Sequence, residues 1–138
     1  MGRLAISKKR ILKSDGTEDD IAIAGAVTAY SRTFTLDYLS ASSMALKFTG
    51  TGINVKVYVE QSADNADLVQ SAQGSAASNY VVPDGNSEIA TITDSDWHII
   101  PSLSLAVMKY GRVKIVGQAG NGADVVLDEG YLSCQEEV

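Results

Sequence analysis

Tyr110-Gly-Arg-Val-Lys-Ile-Val-Gly117, then Gln-Ala-Gly-Asn-Gly-Ala, then Asp124-Val-Val-Leu-Asp-Glu-Gly-Tyr-Leu-Ser133, is the stretch that decides the fold. Two runs rich in β-branched residues flank Asn121-Gly122, a dipeptide that reaches positive φ readily and closes tight turns, so the stretch reads as a long β-hairpin. The same plan occurs earlier. Ala45-Leu-Lys-Phe48 leads into Thr49-Gly-Thr-Gly52 and then into Ile53-Asn-Val-Lys-Val-Tyr-Val-Glu60. A third pairing is predicted between residues 80–82 and 88–93, around the Pro83-Asp84-Gly85-Asn86 turn. Hairpins in series predict an all-β chain, an antiparallel β-sandwich or barrel, with eight to ten short strands and at most short helical turns.

Residues 53–60 give the clearest alternation. Ile53, Val55, Val57 and Val59 share one face, and Asn54, Lys56, Tyr58 and Glu60 share the other, so one face is expected to pack and the other to be wet. Residues 31–36 alternate too, with Phe34 and Leu36 opposite Thr33 and Thr35. Residues 21–27 are small and apolar, which suits a buried strand with a bulge or close approach at Gly25. Residues 61–79 hold no Trp, Tyr or Phe and read as a long surface loop. Residues 103–108 fit a strand or a helical turn equally well.

The 138 residues suffice for one domain with a core of its own. No apolar run approaches the ~20 residues a helix needs to cross a bilayer. The start of the chain lacks the apolar core of a secretory signal, and Ile6 stands where a myristoylation motif requires Ser or Thr. The single cysteine, Cys134, allows no intrachain disulfide, which fits assembly in a reducing cytosol.

Charge is unevenly placed. Residues 1–13 hold Arg3, Lys8, Lys9, Arg10 and Lys13 and no acid. The other 125 residues hold six basic residues and all 17 acids, so a +5 start joins a −11 body. An acidic body argues against nucleic acid as the main partner, because phosphate contacts need a basic face. The basic start reads either as an edge strand guarded by lysines or as an arm that reaches a neighbouring subunit.

Chemistry-bearing motifs are weak. Asp94-x-Asp-x-His98 would set three possible ligands on one face of an extended strand, but the spacing is common by chance and an Asp94 cap on a short helical turn explains the aspartates, so no metal is assigned. Asp15-x-Thr-x-Asp19 lacks the Gly and Glu of a calcium loop, with Asp20 and Ala26 in their places. The glycine-rich stretches lie between strands, whereas phosphate loops lead from a strand into a helix. No nucleophile elbow is present, so the reading is non-enzymatic and without cofactor. Tyr58, Tyr80 and Trp97 are the aromatic side chains that would stack on a sugar from one sandwich face, with Tyr58 and Trp97 as the ligand-facing pair.

The order of parts resembles that of small virion proteins of tailed bacteriophages, notably capsid decoration (cement) proteins and related head or tail accessory proteins. The resemblance runs over about residues 31–133. It lies in the apolar strand, Gly turn and Val57-Tyr-Val-Glu-Gln-Ser62 unit, the Ser/Ala/Asn loop, the leucine-rich turn, Tyr and basic alternating strand of residues 103–117, and the Gly-Asn turn before the last strand. It implies a jelly-roll-like or related β-sandwich that self-associates, often as a homotrimer, and locks a capsid lattice from the virion exterior after assembly in the host cytoplasm. The implied partner is a major capsid protein. The basic start has no counterpart in the resemblance; on charge and composition alone, Arg3, Lys8, Lys9, Arg10 and Lys13, with the long small-residue loop, are the natural contact elements towards an acidic patch on that partner. The alternatives are a carbohydrate- or receptor-binding module of a tail fibre and a head or tail completion subunit.

Overall fold

The computed structural model describes residues 4–10, 20–31, 34–35, 39–62, 82, 88–101 and 110–137. They form ten strands in two antiparallel sheets and no helix. One sheet holds β1 (Leu4–Arg10), β2 (Ile21–Ala22), β5 (Leu39–Thr49), β8 (Trp97–Pro101) and β10 (Val126–Glu137). The other holds β3 (Thr28–Tyr30), β4 (Phe34–Thr35), β6 (Val55–Ser62), β7 (Ala90–Ile92) and β9 (Tyr110–Gly117). We call them sheets A and B.

β1 and β2 pair successively with β10, and β3 and β4 pair successively with β9. Each couple therefore fills one lane, which leaves eight lanes. Their order is β1/β2-β10-β5-β8 in sheet A and β3/β4-β9-β6-β7 in sheet B. Only the step from β6 to β7 stays between neighbours of one sheet. Every other step between lanes crosses to the other sheet, and this winding makes the sandwich a jelly roll.

The predicted hairpins at 110–133 and 45–60 are not formed. β9 lies in sheet B and β10 in sheet A, and β5 and β6 are divided in the same way. The physical reason is that a glycine-rich turn serves a sheet-crossing corner as well as a hairpin, and alternation marks a buried face without naming the partner strand. The turn at Gln118–Asn121 closes with Asn121 N–H donating to Gln118 O at 3.0 Å, with Gly120 at φ 85° in its third place, as a type II turn requires. Of the third predicted pairing, β7 is present and pairs with β6; most of residues 80–87 lie outside the described residues. So do residues 63–79 and 103–108.

The inner faces share one core. Met44, Leu46, Phe48, Leu127 and Leu132 of sheet A meet Phe34, Val55, Val57, Val59, Ile92, Val113 and Ile115 of sheet B. A fully buried side chain of this size contributes about 1.5–3 kcal/mol.

Three corners meet at one end of the sandwich, residues 23–27, 50–54 and 118–125. Asn121 joins them. Its Oδ1 accepts from Asn54 N–H at 2.9 Å, and its Nδ2 donates to Ile23 O and Gly25 O, each at 2.8 Å. The expected buried strand over 21–27 accordingly ends at Ala22, and Gly25 turns the corner with φ 70°. The close approach anticipated there involves its carbonyl: a Cβ on Gly117 would lie 2.0 Å from Gly25 O.

Candidate functional site

The outer face of sheet A carries the most exposed apolar side chains of the described residues outside the corners. β8 begins after a bend in which Asp94 Oδ1 accepts from Asp96 N–H at 3.0 Å and meets His98 Nε2 at 2.7 Å. The bond to His98, and then that to the Asp96 amide, hold the Asp94 carboxyl below the usual carboxylate range. Asp94 thus caps a bend ahead of a strand, where the sequence suggested a helical turn. Among the described residues no three metal-ligating side chains are gathered.

From that bend the strand alternates. Trp97 and Ile99 point outward, with Ile99 72% and Trp97 46% exposed, while Ile100 packs against the core. Trp97 lies opposite Lys47 of β5, whose Nζ is 6.0 Å from the indole centroid. Beyond β5, Tyr131 of β10 stacks on Trp97, with centroids 6.4 Å apart and planes 26° from parallel. A register row crosses the whole sheet below this pair: Ile99, Ala45, Tyr131 and Arg10 stand on adjacent strands. The resulting surface is an aromatic pad continued by a bare isoleucine, with a basic strand at the far edge.

Tyr131 was not singled out by the sequence, and the reason is local. Asp128 is an extra residue in β10, because Leu127 pairs with Phe48 while Glu129 pairs with the adjacent Lys47. This bulge reverses the parity of the strand. Leu127 and Leu132, five apart, both face the core, and Tyr131 turns outward.

Tyr58 and Trp97 do not share a face. Tyr58 lies on the outer side of sheet B, between core residues Val57 and Val59, with Lys114 Nζ 5.7 Å from its ring. The two expected ligand-facing aromatics therefore sit on opposite sides of the sandwich, and the single platform drawn from the sequence is replaced by Trp97 with Tyr131. Tyr80 lies outside the described residues.

The basic start divides as well. Lys8, Lys9 and Arg10 belong to β1 and stand opposite Ser133, Leu132 and Tyr131 of β10. Leu4–Arg10 form an edge strand of sheet A, paired with β10. Arg3 and Lys13 lie outside the described residues.

The outer face of sheet B holds a feature that alternation did not reveal. Glu60, expected to be wet, is buried, and Arg112 directly across on β9 donates Nε–H to Glu60 Oε1 at 2.9 Å. The guanidinium also lies 4.0 Å above the Tyr30 ring. β6 continues through Gln61 and Ser62, both buried, where the sequence suggested the start of a surface loop. The signal for this pair, opposite charges at facing positions, becomes readable only once β6 and β9 are known to be neighbours.

Comparison with protein-family models, with curated proteins and with solved structures finds no match.

Proposed function

We propose that this chain is a non-enzymatic virion structural protein of the decoration (cement) kind, which binds a viral capsid lattice from outside and stabilises it. The observation that carries this reading is the outer face of sheet A, where the exposed Trp97 and Ile99 and the half-buried Tyr131 form an apolar strip on a paired sheet. Large aromatic and aliphatic side chains held on rigid elements are the usual anchors of protein interfaces, because little conformational entropy is lost when they are covered. The basic edge strand beside the strip supplies charge attraction to an acidic patch on a major capsid protein. Such electrostatics raises the rate of encounter and selects the partner more than it adds affinity. A lattice that binds only the folded state also stabilises that state by mass action.

The test is co-sedimentation with isolated tailed-phage capsids. Removing residues 1–13 would take away a whole strand of sheet A, so the informative variants keep the backbone: Trp97→Ala with Tyr131→Ala, and Lys8, Lys9 and Arg10 each replaced by Ser. Retention of full capsid occupancy by both sets would sink the reading.

A second reading rests on the near-parallel Trp97 and Tyr131 rings, an arrangement suited to the apolar face of a sugar ring. It makes the chain a glycan-binding module of a tail fibre. Glycan-array binding that is lost in Trp97→Ala, together with no association with capsids, would favour it.

A further inference from the structure

We propose that β8 is the edge through which two copies of this chain join, antiparallel about a two-fold axis at Ile99, so that sheet A continues from one molecule into the next. This deepens the assembly reading, on which it rests, by naming a second copy as a partner and the strand that meets it.

The argument compares the edges of the two sheets. An exposed edge presents unpaired N–H and C=O groups and invites another strand, so proteins guard edges with charge, shortness or interruption. β1 carries Lys8, Lys9 and Arg10. β7 has three residues, and the β3/β4 lane consists of pieces of three and two. β8 differs. It has five residues, Trp-His-Ile-Ile-Pro, with no Lys, Arg, Asp or Glu, and among the described residues it pairs with β5 alone. Its middle residue, Ile99, is 72% exposed. Pro101, which has no N–H to donate, limits the edge to one short segment, which suits a single defined contact.

Charge placement favours a second copy in an antiparallel sense. The acidic bend at Asp94 and Asp96 precedes β8. Pairing about Ile99 sends the two bends to opposite ends of the joined strands. At about 3.3 Å per residue the two Asp94 positions stand roughly 33 Å apart, well beyond the screening length of ~8 Å at physiological ionic strength. No charged side chain of β8 then faces another. Side chains stand perpendicular to a sheet, so the join uses backbone edges and leaves both Trp97–Tyr131 pads on one continuous outer face. A contact of this kind is isologous and closes at two copies, which separates it from the homotrimer that the cement-protein resemblance implies.

The experiment measures the mass of the full chain by light scattering and sedimentation equilibrium over a wide concentration range, without capsids. The expected result is a concentration-dependent species of twice the 14.6 kDa chain mass. Ile99→Lys sets two like charges directly opposite on the axis and is expected to weaken the dimer at least about tenfold. Its thermal midpoint reports that the exposed position still allows folding. In a Cys134→Ser background, Ile99→Cys places two Cα atoms about 4.5–5.5 Å apart across the axis, within disulfide range. It is expected to give a cross-linked dimer on mild oxidation, while Lys56→Cys on sheet B is not. A single-chain mass at all concentrations, or a trimer that Ile99→Lys leaves intact, overturns the proposal. Capsid co-sedimentation of Trp97→Ala with Tyr131→Ala, positions beside the axis, tests the capsid reading separately.

Discussion

Glu60 and Arg112 face each other across β6 and β9, joined at 2.9 Å and both buried on the side of sheet B that alternation assigns to water. The pair has lost most of its hydration, and its mutual attraction offsets that cost only while both partners are present. Arg112→Ala is expected to destabilise the fold by about 3–5 kcal/mol, because it strands a carboxylate out of water. Replacing both residues with apolar side chains of similar size should recover much of that loss. Urea unfolding of the two single variants and the double variant measures it, and additive single effects would show that the two residues are uncoupled.

Asn121→Ala is expected to cost about 2–4 kcal/mol. It removes three hydrogen bonds that tie the three corners, and each bond is worth about 1 kcal/mol net, more where a buried partner is left unsatisfied. Asn121→Asp tests the same point differently, because a carboxylate keeps acceptance from Asn54 N–H but cannot donate to Ile23 O and Gly25 O. Denaturant midpoints of the two variants should both fall, whereas Ala119→Ser at the neighbouring exposed turn should leave the midpoint unchanged.

Gly117→Ala should be far more damaging than Gly120→Ala. The new Cβ at 117 meets the Gly25 carbonyl at 2.0 Å, and backbone must move to relieve it. At 120 there is open space, and the cost is that of holding a non-glycine residue at φ 85°, about 1–2 kcal/mol. Thermal midpoints of the two variants decide this; equal losses would contradict the corner packing.

The depressed carboxyls of Asp94 and Asp124 set a direction for pH. Asp94 is held down first by its bond to His98, and Asp124 first by the Thr51 N–H at 2.9 Å. A carboxyl with a lowered folded pKa adds stability above its unfolded pKa, and loses it as pH falls through the folded pKa. Both contributions are therefore present at neutral pH and disappear below the usual carboxylate value of about 3.9. Carbon-detected titration should find both groups protonating at lower pH than an ordinary aspartate, and His98→Ala should move Asp94 back towards it.

Trp97 is the only tryptophan in the chain, so its fluorescence reports the outer face of sheet A directly. In the free single chain it should be readily quenched by acrylamide, and Tyr131→Ala should change the spectrum with little effect on stability. If the proposed capsid role holds, addition of capsids should protect it and shift emission to the blue. Unchanged quenching on saturating capsid would count against the proposed capsid contact through this face.

Much of the fold was legible in the chain because alternation is a local property. Val55, Val57 and Val59 were identified as core by period alone, and they are buried. The partnering was not legible, because Gly52 and Gly120 serve a corner between sheets as readily as a hairpin. The candidate surface was half visible. Trp97 stood out by residue type, but Tyr131 was hidden by the bulge at Asp128, which changes parity without a mark in composition.

The sequence by itself determined an all-β chain, the inward faces of its regular strands and the basic character of its first strand, since all of these follow from near neighbours along the chain. Tertiary structure alone decided that β9 and β10 part into different sheets, that Glu60 finds Arg112, that Asn121 ties three corners, and that Trp97 stacks on Tyr131 and not beside Tyr58. The physical reason is that these contacts join residues from 34 to 98 positions apart, and which of them form is settled only when both sheets close over one core.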